Sequence, residues 1–147
     1  MGIGYEWMIF IHVVSAIGSI GPLFVMLVIV QLLKHNPTSL DTTTALRIFR
    51  ESVRFIKHAG HVLVASGAVL IAWGPWEWRH SWIVLTLFLM IVSIFFLASA
   101  FKRVFRAVEA QTISYEVMVD QLGRATWIYL ILLGIMLAFM IWKPMLW

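Results

Sequence analysis

The chain has 147 residues, of which 62% are hydrophobic and only 12% charged, against about 25% charged in an average soluble domain. So little polar surface cannot cover a water-soluble globule, which makes lipid the expected solvent. Cysteine is absent, which excludes disulfides, thiolate catalysis and cysteine-ligated metal.

The charges are segregated along the chain. Four segments contain no Asp, Glu, Lys or Arg: 7–33, 58–76, 80–101 and 125–142. Each is close to the roughly 20 residues that cross a ~30 Å hydrocarbon core as a helix. The sequence therefore predicts an all-α, integral membrane four-helix bundle in a single domain. Its expected spans cover about 5–33, 57–74, 81–103 and 124–142, in an up-down-up-down order set by short linkers.

The first span has no basic segment before it and is longer than the apolar core of a signal peptide. We therefore expect it to be retained as a helix. Asn36 and Pro37 follow it and should end it.

The segment 40–57 differs from the rest because its apolar and charged residues fall on opposite helical faces. Leu46, Phe49, Val53 and Ile56 share one face, whereas the opposite face is charged. Asp41 or Thr42 can cap its start. We expect an amphipathic cytoplasmic helix that leads directly into the second span, as an interfacial anchor or as a docking surface for a partner.

The third span begins near Ser81 and stays compatible with a helix to about residue 110, beyond the membrane. Ser114 can cap the fourth helix, which should end at Lys143 and Pro144.

Basic residues predict the orientation. Of the eleven Lys and Arg residues, nine lie between spans one and two or between spans three and four, and only Arg79 and Lys143 lie on the other side. The positive-inside rule then places both termini outside. The basic balance therefore reflects topology and contact with anionic lipid, and no nucleic-acid partner is expected.

Tryptophan marks the other boundary. Seven of the eight tryptophans fall at the expected outer boundary: Trp7, Trp73, Trp76, Trp78, Trp82, Trp142 and Trp147. Only Trp127 lies at the inner one. This distribution is typical of an aromatic belt at headgroup depth.

His12 is the histidine that lies well inside an uncharged span, in the stretch IFIHVVSAIGSIGP. Ionisable groups inside a membrane are functional-site candidates. Helical spacing puts His12 on a face of small residues with Ala16 and Ser19, which can meet another helix or leave room for a bulky guest. A structural alternative is a hydrogen bond to a neighbouring serine or backbone carbonyl.

The second span has a similar face, formed by His61, Ala65, Ala68 and Ala72 with His58 adjacent. A haem b held between His12 and His61 is the obvious hypothesis, but depth argues against it. His12 lies six residues from Glu6 and His61 four residues from Lys57 at the opposite boundary. At 1.5 Å per residue these offsets leave roughly 15 Å between the two rings along the membrane normal.

An outer-side site is the better prediction. His12 could ligate haem b or copper there, with His80 as a second ligand or with an open position. The pair His58 and His61 could bind haem or a metal on the inner side, although no third ligand is evident. Met136 and Met140 form a possible Cu(I) pair, for which core packing is the simpler explanation.

Several of these motifs resemble a known group of proteins. The stretch IHVVSAIGSIGP, a third span that opens HSWIVLTLFLM and closes KRVFR, and the end MIWKP resemble uncharacterised four-helix bacterial membrane proteins related to copper-resistance protein D and to HemJ-type protoporphyrinogen oxidases. The resemblance implies a four-helix bundle of the bacterial inner membrane with a haem-binding histidine in the first helix, here His12. It also implies a lysine within a later span, whereas Lys102 lies at the inner end of the third.

Three functional hypotheses follow. The first is a haem b-binding or redox-associated membrane protein with His12 as axial ligand. The second is a non-catalytic accessory subunit that binds other membrane proteins, or a second copy, through its small-residue faces and its amphipathic helix. The third is copper handling at the outer face through His12, His80 and a methionine.

Overall fold

A computed structural model describes residues 2–37 and 40–146. In these ranges the regular structure is helical throughout, with α1 Ile3–His35, α2 Thr42–Trp73, α3 Ser81–Glu109 and α4 Tyr115–Trp142. All four helices are long and apolar enough to cross a membrane. The predicted multi-pass helical membrane protein is therefore confirmed. The amphipathic segment and the second span form one continuous helix, as expected.

The helix ends coincide with the residues expected to cap them. Asp41 precedes α2, and its Oδ2 accepts a hydrogen bond from the backbone N–H of Thr44 at 3.0 Å. Ser114 precedes α4, and its Oγ accepts from the backbone N–H of Val117 at 3.4 Å. Each cap satisfies one of the N–H groups that lack a partner in the first helical turn. At the other end of α4, Lys143 stops the helix in the left-handed conformation with φ 47°.

Contacts between helices show which ends lie together. The end of α1 meets the start of α4, where Lys34 Nζ lies 2.6 Å from Asp120 Oδ1. The start of α3 meets the chain just after α4, where Ser81 Oγ donates to the Pro144 carbonyl at 2.6 Å. One end of the bundle therefore carries the starts of α1 and α3 and the ends of α2 and α4. We call it the tryptophan end, after Trp7, Trp73, Trp76, Trp78, Trp82 and Trp142; Trp147 lies outside the described residues.

The opposite end, here the basic end, holds the tightest packing. The fully buried large side chains cluster in the second half of α1 and α3 and in the first half of α2 and α4; Leu23, Met26, Phe49, Ile56, Phe101 and Leu122 are examples. Helix α1 packs against both α2 and α4, and α3 packs against α4, whereas α2 and α3 have few contacts. The bundle is therefore closed toward the basic end and open along one side elsewhere.

The amphipathic part of α2 packs into the protein itself. Phe49 and Ile56 are 0% exposed and belong to the core, so this stripe faces other helices and not a lipid interface. On the opposite face, Arg50 reaches α3, where its Nη2 lies 2.6 Å from Glu109 Oε1 and its guanidinium 5.3 Å from the Phe105 ring centroid. The interfacial anchor expected from the sequence is thus a packed element, because its apolar stripe is already covered.

This packing predicts a difference between two phenylalanines. Phe49→Ala should lower the free energy of unfolding by about 3–5 kcal/mol, because it removes a fully buried ring and leaves a cavity. Phe95→Ala is the matched control, since Phe95 is 71% exposed and its loss should change stability by less than about 0.5 kcal/mol. Denaturant unfolding in detergent, followed by circular dichroism, measures both. Equal effects would contradict the buried position of the α2 stripe.

Candidate ligand site around His12

A cavity of about 580 Å³ lies between the helices in the half of the bundle nearest the tryptophan end. All four helices and the turn between α2 and α3 contribute to its walls, which are mostly aliphatic, aromatic and methionine side chains. The polar groups among the lining residues are few: Tyr5, His12, Trp76, Trp82 and Thr86. Its volume falls in the range of about 300–1,000 Å³ that small-molecule and cofactor sites occupy.

His12 is held in this wall by a hydrogen bond to α2. Its Nδ1 lies 3.0 Å from Ser66 Oγ. Ser66 Oγ in turn lies 2.8 Å from the Val62 carbonyl oxygen and 3.0 Å from that of Leu63. When its single proton is donated to one of these carbonyls, Ser66 accepts from His12 Nδ1, and the Nε2 lone pair is then unprotonated.

The backbone of α2 at Gly67 also lies close to the His12 ring. A Cβ atom on Gly67 would lie only 3.1 Å from His12 Cε1 and 3.5 Å from Nδ1, so only glycine leaves ordinary room for the ring. The ring also has the Leu63 backbone as a hydrogen-bond partner. Since His12 lines the cavity, a ligand in the cavity can reach its imidazole.

His12 makes the bond that was its structural alternative, a hydrogen bond to a serine, and that serine belongs to α2. His80, the second ligand expected on the outer side, is not among the residues that line the cavity with His12. His61 lies five residues before Ser66, which is about 7.5 Å along the helix toward the basic end, and its side chain is exposed. At the depth where a second histidine was expected, the structure has the hydroxyl of Ser66 and the glycine Gly67.

The other candidate histidines lie away from the cavity lining. His58 and His61 are exposed on α2, with their ring centroids 6.3 Å apart. His80 ends the turn before α3, where its Nδ1 lies 2.7 Å from the Glu77 carbonyl oxygen. In the part of the chain that the structure describes, no group of three or more His, Asp or Glu side chains could hold a metal ion.

Methionine and tryptophan contribute more to the site than the sequence suggested. Met136 and Met140, for which core packing was the simpler explanation, line the cavity together with Met90 of α3. Trp76 and Trp82, expected only as belt residues, also line it. No sequence signal separates these two from the outward-facing tryptophans, because the difference depends on the path of the α2–α3 turn for Trp76 and on the rotation of α3 for Trp82.

A double-mutant cycle tests the contact between His12 and Ser66. Unfolding free energies of His12→Ala, Ser66→Ala and the double variant should show a coupling of about 0.6–2 kcal/mol, the range for side-chain hydrogen bonds between membrane helices. The control cycle with His61→Ala and Ser66→Ala should be additive within about 0.3–0.5 kcal/mol, since those side chains do not touch. Coupling in the control cycle and none in the first would contradict the geometry.

Comparisons with family models, curated proteins and solved structures returned no match. The relation to copper-resistance protein D and HemJ-type oxidases thus stays a prediction from the motifs in which it was noticed. The functional proposal therefore rests on the His12 imidazole, the cavity beside it and the residues at the cavity's tryptophan end.

Proposed function

We propose that this chain is an integral membrane protein that binds haem b in the cavity, with His12 Nε2 as an axial ligand, in the service of a redox reaction. The observation that carries the proposal is an imidazole that lines a large apolar cavity while its Nδ1 bonds Ser66, an arrangement that would present Nε2 to a ligand. Ligating histidines characteristically donate their second nitrogen to an outer partner, which sets the tautomer and the ring orientation.

The lining residues fit such a group. Haem is a bulky, mostly apolar macrocycle, and a cavity of about 580 Å³ is far larger than one metal ion needs. Met90, Met136 and Met140 supply thioethers in the same cavity, and a His/Met pair is a known axial set in cytochromes. When bound, haem would supply the electron chemistry. The chain would orient the imidazole and keep the site apolar.

Copper is the less favoured ligand. His12 and His80, the expected pair, do not share the cavity wall, and His80 Nδ1 bonds within its own turn. Cu(I) would instead depend on His12 and the methionine thioethers. A cavity of this size leaves such an ion poorly enclosed, which favours the macrocycle.

A non-catalytic accessory subunit is the second candidate, and one observation favours it. The α2 face formed by His61, Ala65, Ala68 and Ala72 points away from the bundle, because all four side chains are exposed. Small residues on such a face allow another helix to approach closely in a membrane. The partner would be a different membrane protein or a second copy of this chain.

We further propose a bacterial inner-membrane location with the tryptophan end outside. Nine of the eleven Lys and Arg residues lie toward the basic end, whereas Arg79 and Lys143 lie at the other. This asymmetry supports an outward tryptophan end and both termini outside.

The cysteine-free chain makes this orientation easy to test. Single cysteines replace Trp78 in the α2–α3 turn and, in a second variant, Thr112 in the α3–α4 turn. In intact cells a membrane-impermeant maleimide should label Trp78→Cys, and label Thr112→Cys only after lysis. The reverse pattern would show that the basic end faces outward.

Absorption spectra test the haem proposal. Protein purified in detergent from haem-supplemented cells should show a Soret band that shifts on reduction. His12→Ala should abolish the band, and Ser66→Ala should weaken haem affinity about 10–100-fold, as loss of an outer-shell partner does. His61→Ala is the control and should keep the spectrum. A colourless wild type that co-purifies stoichiometrically with a larger complex would support the accessory subunit instead.

A further inference from the structure

We propose that the cavity's ligand carries an anionic group, a carboxylate or a phosphate, which binds the Lys143 ammonium at the tryptophan end. This inference rests on the proposed function only in that the cavity binds a ligand, and it does not require that ligand to be haem. It therefore specifies a ligand class: a membrane-soluble amphipathic anion whose apolar body lies between the helices.

The ammonium of Lys143 lies over two rings of the cavity lining, although Lys143 itself is not a lining residue. Its Nζ lies 4.1 Å from the ring centroid of Trp76 and 5.8 Å from that of Trp82. Both rings line the cavity and pack edge to face, with their centroids 5.4 Å apart. Cations favour this position because the faces of indole rings are electron-rich.

The charge on Lys143 lacks a carboxylate partner. In residues 2–37 and 40–146 the carboxylate ion pairs involve Lys34, Arg50 and Arg54, all toward the basic end. Lys143 is half-buried, and its ammonium lies over the two indole rings. A partly desolvated cation on aromatic faces retains room for an anion, and charge-assisted hydrogen bonds to carboxylate or phosphate are the strong ones.

The backbone around Lys143 is held in place. Ser81 is 0% exposed; its Oγ donates to the Pro144 carbonyl at 2.6 Å and accepts from the Leu146 N–H at 2.8 Å. This pair of bonds ties the chain after α4 to the first turn of α3. Lys143 itself adopts the left-handed conformation that ends α4. The ammonium is thus presented by a fixed turn and not by a free tail.

The route to this site runs through lipid. Helices α2 and α3 make few contacts with each other, and both contribute residues to the cavity wall, among them Val64 and Leu87. A gap between two membrane helices admits molecules dissolved in the acyl layer. Such a molecule could insert its apolar body laterally and leave its charged group at headgroup depth, where Lys143 lies beside the tryptophans.

Photocrosslinking in phosphatidylcholine nanodiscs tests the proposal. The probes are a photoreactive alkyl carboxylate, the matching alkyl phosphate and the matching uncharged alcohol. Mass spectrometry compares labelling of the cavity-lining Leu87 and Met90 with that of the exposed Phe88 and Ile91 on the same helix. Either anion should label the cavity positions at least about tenfold more than the alcohol does, the size expected for one charge-assisted hydrogen bond. The two anionic probes show which group is preferred.

The variants isolate the role of Lys143. Lys143→Gln should remove the preference for the anions without changing the labelling by the alcohol, whereas Lys143→Arg should keep it. Lys102→Gln, which changes an exposed lysine near the basic end, should have no effect. Any one of three results would overturn the inference. These are equal cavity labelling by anion and alcohol, an unchanged preference for the anions in Lys143→Gln, and labelling confined to Phe88 and Ile91.

The outcome is distinguishable from that of the haem proposal. Anion-selective labelling in a protein that shows no haem spectrum would leave the inference standing and refute the haem assignment. The converse result is a His12-dependent haem spectrum in the wild type, while Lys143→Gln changes neither the haem affinity nor the probe labelling. That result would refute the inference and leave the haem assignment in place.

Discussion

The fold depends on the position of α1, which packs against both α2 and α4 while α2 and α3 barely touch. In lipid, close van der Waals packing replaces the hydrophobic effect as the force between helices. Packing is closest toward the basic end, where α1 approaches α4 so closely that a Cβ on Gly123 would lie 3.0 Å from Val30 Cγ1. Toward the tryptophan end the cavity lies between these helices. The cavity thus follows from an uneven distribution of close packing along the bundle.

Hydroxyl groups in the bundle interior show why His12 stands out. Ser15, Ser19, Thr86 and Thr126 each donate to the carbonyl four residues back in their own helix, which satisfies the hydroxyl proton without joining helices. Ser66 contacts its own helix in the same way and in addition bonds His12 of α1. This bond joins the side chains of two helices at the cavity wall.

The extent of the helices could be predicted because the relevant signals are local. A charge-free run delimits α1 to within a few residues, and another ends where α4 ends. Asp41 and Ser114 mark the starts of α2 and α4, because they cap helices wherever those helices pack. Counting residues from the charged boundaries put roughly 15 Å between His12 and His61, but Ser66, which bonds His12, lies only about 7.5 Å from His61 along α2. That count overestimated the offset because it also assumed where the membrane boundaries lie. Rotation about the helix axes is different, since it decides that Ser66 faces His12 and that His61 faces outward. A single sequence carries little information on rotation when every face is apolar.

The role proposed for Lys143 is harder to recognise in the sequence than the role proposed for His12. His12 is conspicuous because an ionisable group deep in an apolar run needs a partner, whereas Lys143 follows the last span, where an interfacial lysine is ordinary. Only the fold brings its ammonium onto the rings of Trp76 and Trp82 at the cavity wall. His12 and Lys143 then supply different chemistry to one cavity: a lone pair within the apolar wall and a positive charge at the tryptophan end. A ligand that satisfies both must be apolar in its body and anionic at one edge, which narrows the candidates more than either residue does alone.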